Sequence, residues 1–281
     1  MRAGLRSFWI AGLVAVNLLC AGLAGAADRA RIEQFLSVTG FDVALDSMAL
    51  GAEQAPAMLG RDPGEFGSLW KKLVQEVMVP ADIRETAIGI LQQTLDETSL
   101  DHALAFYGSD LGRRLVAAEN AAHMEKGDDG KDEAGEAIIG ALVRSGPEGR
   151  DRLDYFRRMN AAIDIGDMSI RALQEVQIRF LMAAARAGVI ALKMDEPDLR
   201  EMFREQEPQL RSALLASAMA NAAYTYQSFS DDELHDYTLA LEAEPMRQVY
   251  ELMNAVHYEI MANRYEMLAA RMAILRPSQE L

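Results

Sequence analysis

Residues 99–125, SLDHALAFYGSDLGRRLVAAENAAHME, recur in related form at residues 233–259, ELHDYTLALEAEPMRQVYELMNAVHYE. The two stretches align without a gap when Leu100 is placed on Leu234. Agreement at this many positions in one ungapped block favours an internal duplication over chance. The aligned identical or similar pairs are Asp110/Glu244, Arg113/Arg247, Leu115/Val249, Asn120/Asn254, Ala121/Ala255, His123/His257 and Glu125/Glu259.

A second, shorter resemblance lies upstream, where Arg31-Ile32-Glu33-x-Phe35 is similar to Arg152-Leu153-Asp154-x-Phe156. Together the two resemblances predict two related helical units, at residues 27–126 and 150–281. A charged, Gly-rich linker and a short helix, residues 127–149, would separate them. The alternative is that amphipathic helices share residues by coincidence.

The composition predicts an all-α protein. Of the 281 residues, 50% are hydrophobic and 25% are charged, as in ordinary globular chains. Ala, Leu, Met and Glu are abundant, and apolar residues recur at helical spacing, as in Leu69, Leu73 and Val77. No segment alternates with the period of two that strands require. We therefore expect a helical bundle built from the two related units.

The N-terminus has the pattern of a cleaved export signal. Arg2 and Arg6 precede an apolar stretch, Phe8–Leu23, and Ala24-Gly25-Ala26 supplies the small-x-small cleavage site. The alternative is an N-terminal membrane anchor, but the apolar stretch is short for a spanning helix. We assign residues 1–26 to a signal peptide and expect a periplasmic protein with no membrane span after cleavage.

Charge and cysteine content exclude several classes of function. The formal net charge of −15 argues against nucleic-acid binding, which uses clustered Lys and Arg. The single Cys, Cys20, lies in the apolar part of the signal, after Leu19 rather than after the small residue of a lipoprotein site. A cleaved chain would contain no cysteine, which excludes a disulfide scaffold, a thiol nucleophile and a Cys-ligated metal.

Residues 126–136, KGDDGKDEAGE, form the clearest break in the helical pattern. A calcium loop of the EF-hand type is one interpretation, but an alignment from Asp128 puts Glu133 at the glycine position and Ile139 at the distal glutamate position. The pattern therefore predicts a solvated linker.

The first copy contains the segment Ala105-Phe106-Tyr107-Gly108-Ser109-Asp110-Leu111-Gly112-Arg113-Arg114-Leu115. It resembles a family of short helical domains of unknown function in exported Gram-negative proteins, marked by Phe-Tyr, then Ser or Thr, a Gly after two further residues, and a basic pair. The family usually has Pro where this chain has Asp110 or Leu111. The resemblance covers Ile83–Glu125, and the second copy is degenerate, with Leu241 for Tyr107 and Met246 for Gly112. It implies a helical envelope protein, with no catalytic residues to transfer.

The same motif has a structural interpretation from its residues alone. Phe106 and Tyr107 can fill the corner between two helices, and Ser109 or Asp110 can cap the second helix. Gly112 would then allow the two helices to approach closely in its first turn.

The repeated histidines are the main candidates for chemistry. Glu119 and His123 lie four residues apart on one helical face, and Met253, His257 and Met261 form a soft face that suits Cu(I). The structural alternative is a half-buried histidine that is hydrogen-bonded to a carboxylate or carbonyl. We favour the structural alternative because no third ligand converges in the sequence. The methionines, scattered singly, fit core filling.

These observations predict a non-catalytic periplasmic protein that binds another envelope component, with no cofactor and an unassigned oligomeric state. The alternatives are a metal-binding protein, for copper or zinc, and a helical hydrolase whose catalytic residues form no recognisable motif. Metal analysis would separate the first two functions, and an ordered pocket with convergent polar groups would favour the hydrolase.

The signal assignment is testable by N-terminal sequencing of the protein recovered from the periplasm. We expect the mature chain to begin at Ala27 or Asp28, because the signal pattern ends at Ala26. An intact Met1 in the membrane fraction would contradict the assignment.

Overall fold

The computed structural model describes residues 29–125, 128–163 and 167–273, which include no strand. The predicted all-α fold is confirmed. The predicted signal peptide lies outside the described residues. The helices are α1 Arg29–Thr39, α2 Phe41–Ala52, α3 Gly67–Val77, α4 Pro80–Thr94, α5 Glu97–Tyr107, α6 Asp110–Met124, α7 Asp128–Arg144, α8 Pro147–Ala162, α9 Asp167–Arg186, α10 Glu196–Thr225, α11 Asp231–Glu242 and α12 Glu244–Met272, with short 3₁₀ helices at Ala55–Leu59 and Pro63–Phe66.

Polar side chains fix where several helices begin. The Asp96 carboxylate accepts from the Ser99 backbone N–H at the start of α5, and the Ser109 hydroxyl accepts from the Gly112 N–H at the start of α6. Ser230 and Glu233 form a reciprocal capping box at the start of α11. The predicted cap at Ser109 is therefore confirmed.

The long helix α12 runs through the centre of the hydrophobic core. It packs along α9 on one side and against α3, α4 and α5 on the other. Phe35 of α1, Phe156 of α8 and Phe180 of α9 are all fully buried in this core. Because helices of both predicted units contribute, the described residues share one core rather than two separate ones.

Equivalent helices of the predicted repeat begin at matching positions. The offset that places Leu100 on Leu234 also places the N-cap Asp96 on Ser230, and the N-cap Ser109 on Ala243. The same offset places Glu97 on Asp231, and both residues form ion pairs: Arg31 of α1 binds Glu97 of α5, while Arg152 of α8, which is 121 residues after Arg31, binds Asp231 of α11 at 2.6 Å. The element order α1–α5–α6 thus has a counterpart in α8–α11–α12.

Gly40 makes the sharp bend between α1 and α2. Its φ of 75° lies in the left-handed region, which glycine adopts without strain. A Cβ atom at this position would lie 2.5 Å from Asn120 Oδ1. The bend therefore brings the end of α1 against α6.

The prediction of a solvated linker at residues 126–136 was wrong, because helix α7 begins at Asp128. Lys126 and Gly127 lie outside the described residues. Lys131 is buried, and its Nζ donates to the Ala122 carbonyl oxygen at 3.0 Å. A Cβ on Gly135 would lie 2.1 Å from the Ala220 carbonyl oxygen of α10. The small glycine lets α7 and α10 pack backbone to backbone, a tertiary contact that outweighs its low helix propensity.

Among the described residues, no single helix is long and apolar enough to span a membrane. Helices α1 and α2, which meet at 69°, meet the length and composition criterion only when they are taken together.

The α7–α10 contact predicts opposite effects for two glycine substitutions in α7. Gly135→Ala should lower the free energy of unfolding by about 1–3 kcal/mol, because the methyl group overlaps the α10 backbone. Gly130→Ala meets no atom within 4 Å and should raise it by up to about 1 kcal/mol. Urea denaturation measures both, and equal effects of the two substitutions would contradict the close packing.

Candidate functional site

A central pocket of about 320 Å³ lies between α6 and α12. The end of α1, together with α2, α8 and α11, completes its wall. Its volume is at the lower end of the range for small-molecule sites, roughly 300–1,000 Å³. Its polar lining includes Glu119, His123, Asn160, Tyr226, Tyr237 and His257.

The repeat offset places equivalent residues of α6 and α12 on this pocket. Glu119, Asn120 and His123 line it from α6, and Met253, Asn254 and His257 line it from α12. In each helix the three positions are i, i+1 and i+4, which share one side of a helix. Aligned positions of residues 99–125 and 233–259 therefore line the same pocket.

The Glu119 carboxylate is the centre of a hydrogen-bond network. Its Oε1 accepts from the phenol of Tyr237 at 2.7 Å and from the phenol of Tyr226 at 2.8 Å. The Tyr107 hydroxyl bonds to the hydroxyls of Tyr237 and Tyr250. Glu119 Oε2 accepts no hydrogen bond from any described residue and is left for the pocket.

Burial dominates the protonation behaviour of this network. It raises the pKa of the Glu119 carboxyl above its usual value, although the two phenol hydrogen bonds act in the opposite direction. Burial also raises the pKa of Tyr107, Tyr226 and Tyr237 well above the usual value of a phenol. The phenols therefore remain protonated at neutral pH and act as hydrogen-bond donors.

The two repeated histidines are neutral and have no hydrogen bond within the described residues. Burial, with the nearby His123, lowers the pKa of His257 to about 4. Burial and the Lys131 charge lower the pKa of His123, which is exposed to the cavities that it lines. The prediction that His257 is hydrogen-bonded to a carboxylate or carbonyl was wrong, because this side chain faces the pocket rather than a polar group of a neighbouring helix.

Asn160 adds a buried amide without a partner. The residue is only 8% exposed, and its Nδ2 has no hydrogen-bond partner among the described residues. It lies at the boundary of the central pocket and lines both cavities of this region. By contrast, Asn254 Nδ2 donates to the Ile163 carbonyl oxygen at 2.9 Å. An unpaired buried donor costs about 1–3 kcal/mol unless something binds it.

An outer groove of about 1000 Å³ adjoins the central pocket. The two cavities share Glu119, His123 and Asn160 as wall residues. The groove walls come mainly from α2, α6, α7 and α10, with Asn160 from α8. Among the described residues its charged lining is mostly acidic, with Glu53, Glu119, Glu125 and Asp132 against Lys131.

The structure brings together most of the predicted metal candidates. Glu119, His123, Met253 and His257 line the central pocket, whereas Met261 packs one turn further along α12 against the hydrophobic core. Within the described part of the chain, no three His, Cys, Asp or Glu side chains are arranged closely enough to hold a metal ion.

Sequence reasoning missed the tyrosines and Asn160. Tyr107 had been assigned to corner filling, and it does pack edge-on against Phe106, whose ring stacks on Tyr237. Its hydroxyl, however, belongs to the Glu119 network. Tyr226, Tyr237 and Tyr250 come from three separate helical segments, so no local spacing connects them. The aligned pair Asn120 and Asn254 was the one feature of the sequence that could have indicated this site, because both residues line the pocket.

The lowered pKa of His257 predicts a pH-dependent stability. Between pH 7.5 and pH 5.0 the unfolded imidazole gains a proton that the folded one does not, so this residue should cost the native state about 2 kcal/mol at the lower pH. The matched variant His257→Gln should lack this loss in urea denaturation.

The titratable groups that face His257 are present in both proteins, so the comparison of wild type with His257→Gln cancels their effects on the free energy of unfolding. On acidification His123 lowers this free energy, as His257 does, and Glu119 raises it, while Tyr226, Tyr237 and Tyr250 stay protonated. The control His235→Gln changes a histidine exposed on α11. Parallel pH profiles of wild type and His257→Gln would contradict the buried, neutral imidazole.

Residues 81–140, which run from α4 into α7 and include Glu119 and His123, match the model of a family described as uncharacterized protein conserved in bacteria (DUF2059). This segment contains the Phe106-Tyr107 motif that pointed to a domain of unknown function. No curated protein and no solved structure matches the chain.

Proposed function

We propose that this protein is a non-catalytic binding protein of the bacterial envelope, and that it holds a small envelope component in the central pocket. The observation that carries the proposal is a set of pocket-lining polar groups without a partner among the described residues: Glu119 Oε2 and the imidazoles of His123 and His257, with the buried, unpaired Asn160 Nδ2 at the pocket boundary. Buried polar groups are normally hydrogen-bonded, so a ligand is their natural partner.

Export rests on separate support. Arg2, Arg6, the apolar stretch and Ala24-Gly25-Ala26 fit a signal peptide, and the matching family is bacterial. A periplasmic location is the proposal that follows, and it would give the pocket access to soluble envelope components.

An origin by duplication is part of the same proposal. The paired caps, the paired ion pairs Arg31–Glu97 and Arg152–Asp231, and the facing His123 and His257 all follow the relationships noted in the sequence. A pocket between two related units would present similar groups from both sides of a ligand.

A pocket with convergent polar groups is the observation that favours the hydrolase alternative. Nucleophilic catalysis, however, requires a nucleophile hydrogen-bonded to a base. In the described residues neither His123 nor His257 makes such a bond, and Glu119 Oε1 is already occupied by two phenols. Binding is therefore the better interpretation of these contacts.

The metal alternative would use Glu119, His123, Met253 and His257. Neutral imidazoles and a thioether suit copper, and the shared pocket favours these four residues over Met261. The arrangement of the described His and acidic side chains, too open for a metal ion, makes this the weaker candidate.

Native mass spectrometry and metal analysis of the mature protein, purified from the periplasm without chelator or affinity tag, separate these functions. We expect wild type to retain or take up from envelope extract a small molecule that Ala44→Phe excludes, because Ala44 lines the pocket. Ala117→Phe, exposed on α6, is the matched control.

Three outcomes would overturn the proposal. Stoichiometric copper or zinc that is lost in His257→Ala would establish the metal alternative. A bound molecule released in a chemically altered form would establish an enzyme. A wild-type protein that neither retains nor takes up any small molecule would refute a binding function for the pocket.

A further inference from the structure

The chemistry of the central pocket restricts the class of ligand. Among the described residues that line it, the polar groups without a protein partner include Glu119 Oε2, the Asn120 amide and the two neutral imidazoles of His123 and His257, and the buried Asn160 Nδ2 lies at its boundary. A complementary ligand must donate to Glu119 Oε2, and the Asn120 amide can both donate to it and accept from it. Each imidazole offers one donor and one acceptor, which suits hydroxyl groups.

The charge of the pocket favours a positive group on the ligand. Among the described residues that line it there is no Lys, Arg or Asp, and Glu119 is its one acidic side chain. A buried carboxylate without a counter-charge is costly, whereas a cation beside it removes this cost. Because both histidines are neutral, they do not repel such a cation.

The acidic lining of the outer groove also favours a positively charged ligand. Glu53, Glu125 and Asp132 line the approach to Glu119, and Lys131 Nζ, the opposing charge, is held by the Ala122 carbonyl. Carboxylates at the entrance of a cleft attract cations and raise their local concentration. An anionic ligand would meet repulsion both in the groove and at Glu119.

Aromatic rings complete the lining. Phe41 packs edge-on against Tyr250, with ring centroids 5.5 Å apart, and Tyr226 lies edge-on to Tyr237 at 5.7 Å. All four rings line the central pocket. Aromatic faces attract ammonium groups and also pack against the C–H faces of cyclic ligands.

We propose that the central pocket binds a small hydroxyl-bearing primary amine, of the amino-sugar or amino-alcohol class. This inference rests on the proposed binding function and adds the ligand class to it. The ammonium group binds Glu119 Oε2, and a hydroxyl group bonds to the Asn120 amide. Further hydroxyl groups bind His123 and His257.

The test compares D-glucosamine with D-glucose on the mature protein at pH 6.5, where the amine of glucosamine is protonated. The two probes differ in one position, an ammonium group in place of a hydroxyl. Binding is followed by isothermal titration calorimetry and by NMR of histidine-labelled protein, in which His123 and His257 report on the pocket.

We expect glucosamine to shift both imidazole signals and to bind at least about tenfold more tightly than glucose, a factor that corresponds to about 1.4 kcal/mol. Glu119→Gln should remove this preference while its thermal unfolding remains cooperative. Glu251→Gln, which neutralises an exposed acid on α12, should retain the preference.

The wild-type comparison decides the inference even if Glu119→Gln fails to fold. Equal binding of glucosamine and glucose would overturn the inference that the ligand is an amine. The pocket would then be a site for neutral sugars, and the proposed binding function would survive. Absence of any shift at His123 and His257 with glucosamine would also overturn the inference. The binding function itself is then decided by the retained ligand in native mass spectrometry.

Discussion

The hydrogen bonds from Tyr226 and Tyr237 to the Glu119 carboxylate are the interaction on which the interior depends. They join α6 to the end of α10 and to α11, and the hydroxyls of Tyr107 and Tyr250 extend the network to α5 and α12. A carboxylate is tolerated inside a helical core only when its oxygens are satisfied. Two phenols donate to one carboxylate oxygen, and the other oxygen faces a cavity. The same network therefore holds the helices together and leaves one hydrogen-bond acceptor free for the pocket.

The cavity exists because opposite sides of the bundle present polar groups where apolar packing would otherwise continue. Thr39 and Asn160, near the ends of α1 and α8, are buried polar residues at this boundary. Met253 stands in α12 where α6 has Glu119, so the pocket has an acidic side and a soft, apolar side. The ligand proposed above would therefore bind with its positive end toward α6.

Prediction from the sequence succeeded where local chemistry decides. The Ser109 cap and the close approach of Gly112 to the Phe106 carbonyl both follow from short-range hydrogen bonds and sterics. It was wrong at residues 128–136, where charge and glycine suggested a linker, because the contact of Gly135 with Ala220 of α10 is invisible in the local pattern. It was wrong again about the partner of His257, since a helical stripe identifies a buried face but not whether that face meets protein or cavity.

The sequence by itself determined that the chain is helical, because helix propensity, apolar spacing and caps act over a few residues. It also identified His123 and His257, through the resemblance between residues 99–125 and 233–259. Only the tertiary structure decided that these histidines face one another across a pocket and that Glu119 lies among tyrosines from other helices. Such contacts join residues more than a hundred positions apart, as in Glu119 with Tyr226 and Tyr107 with Tyr250, and depend on how whole helices pack. No local pattern of residues encodes them.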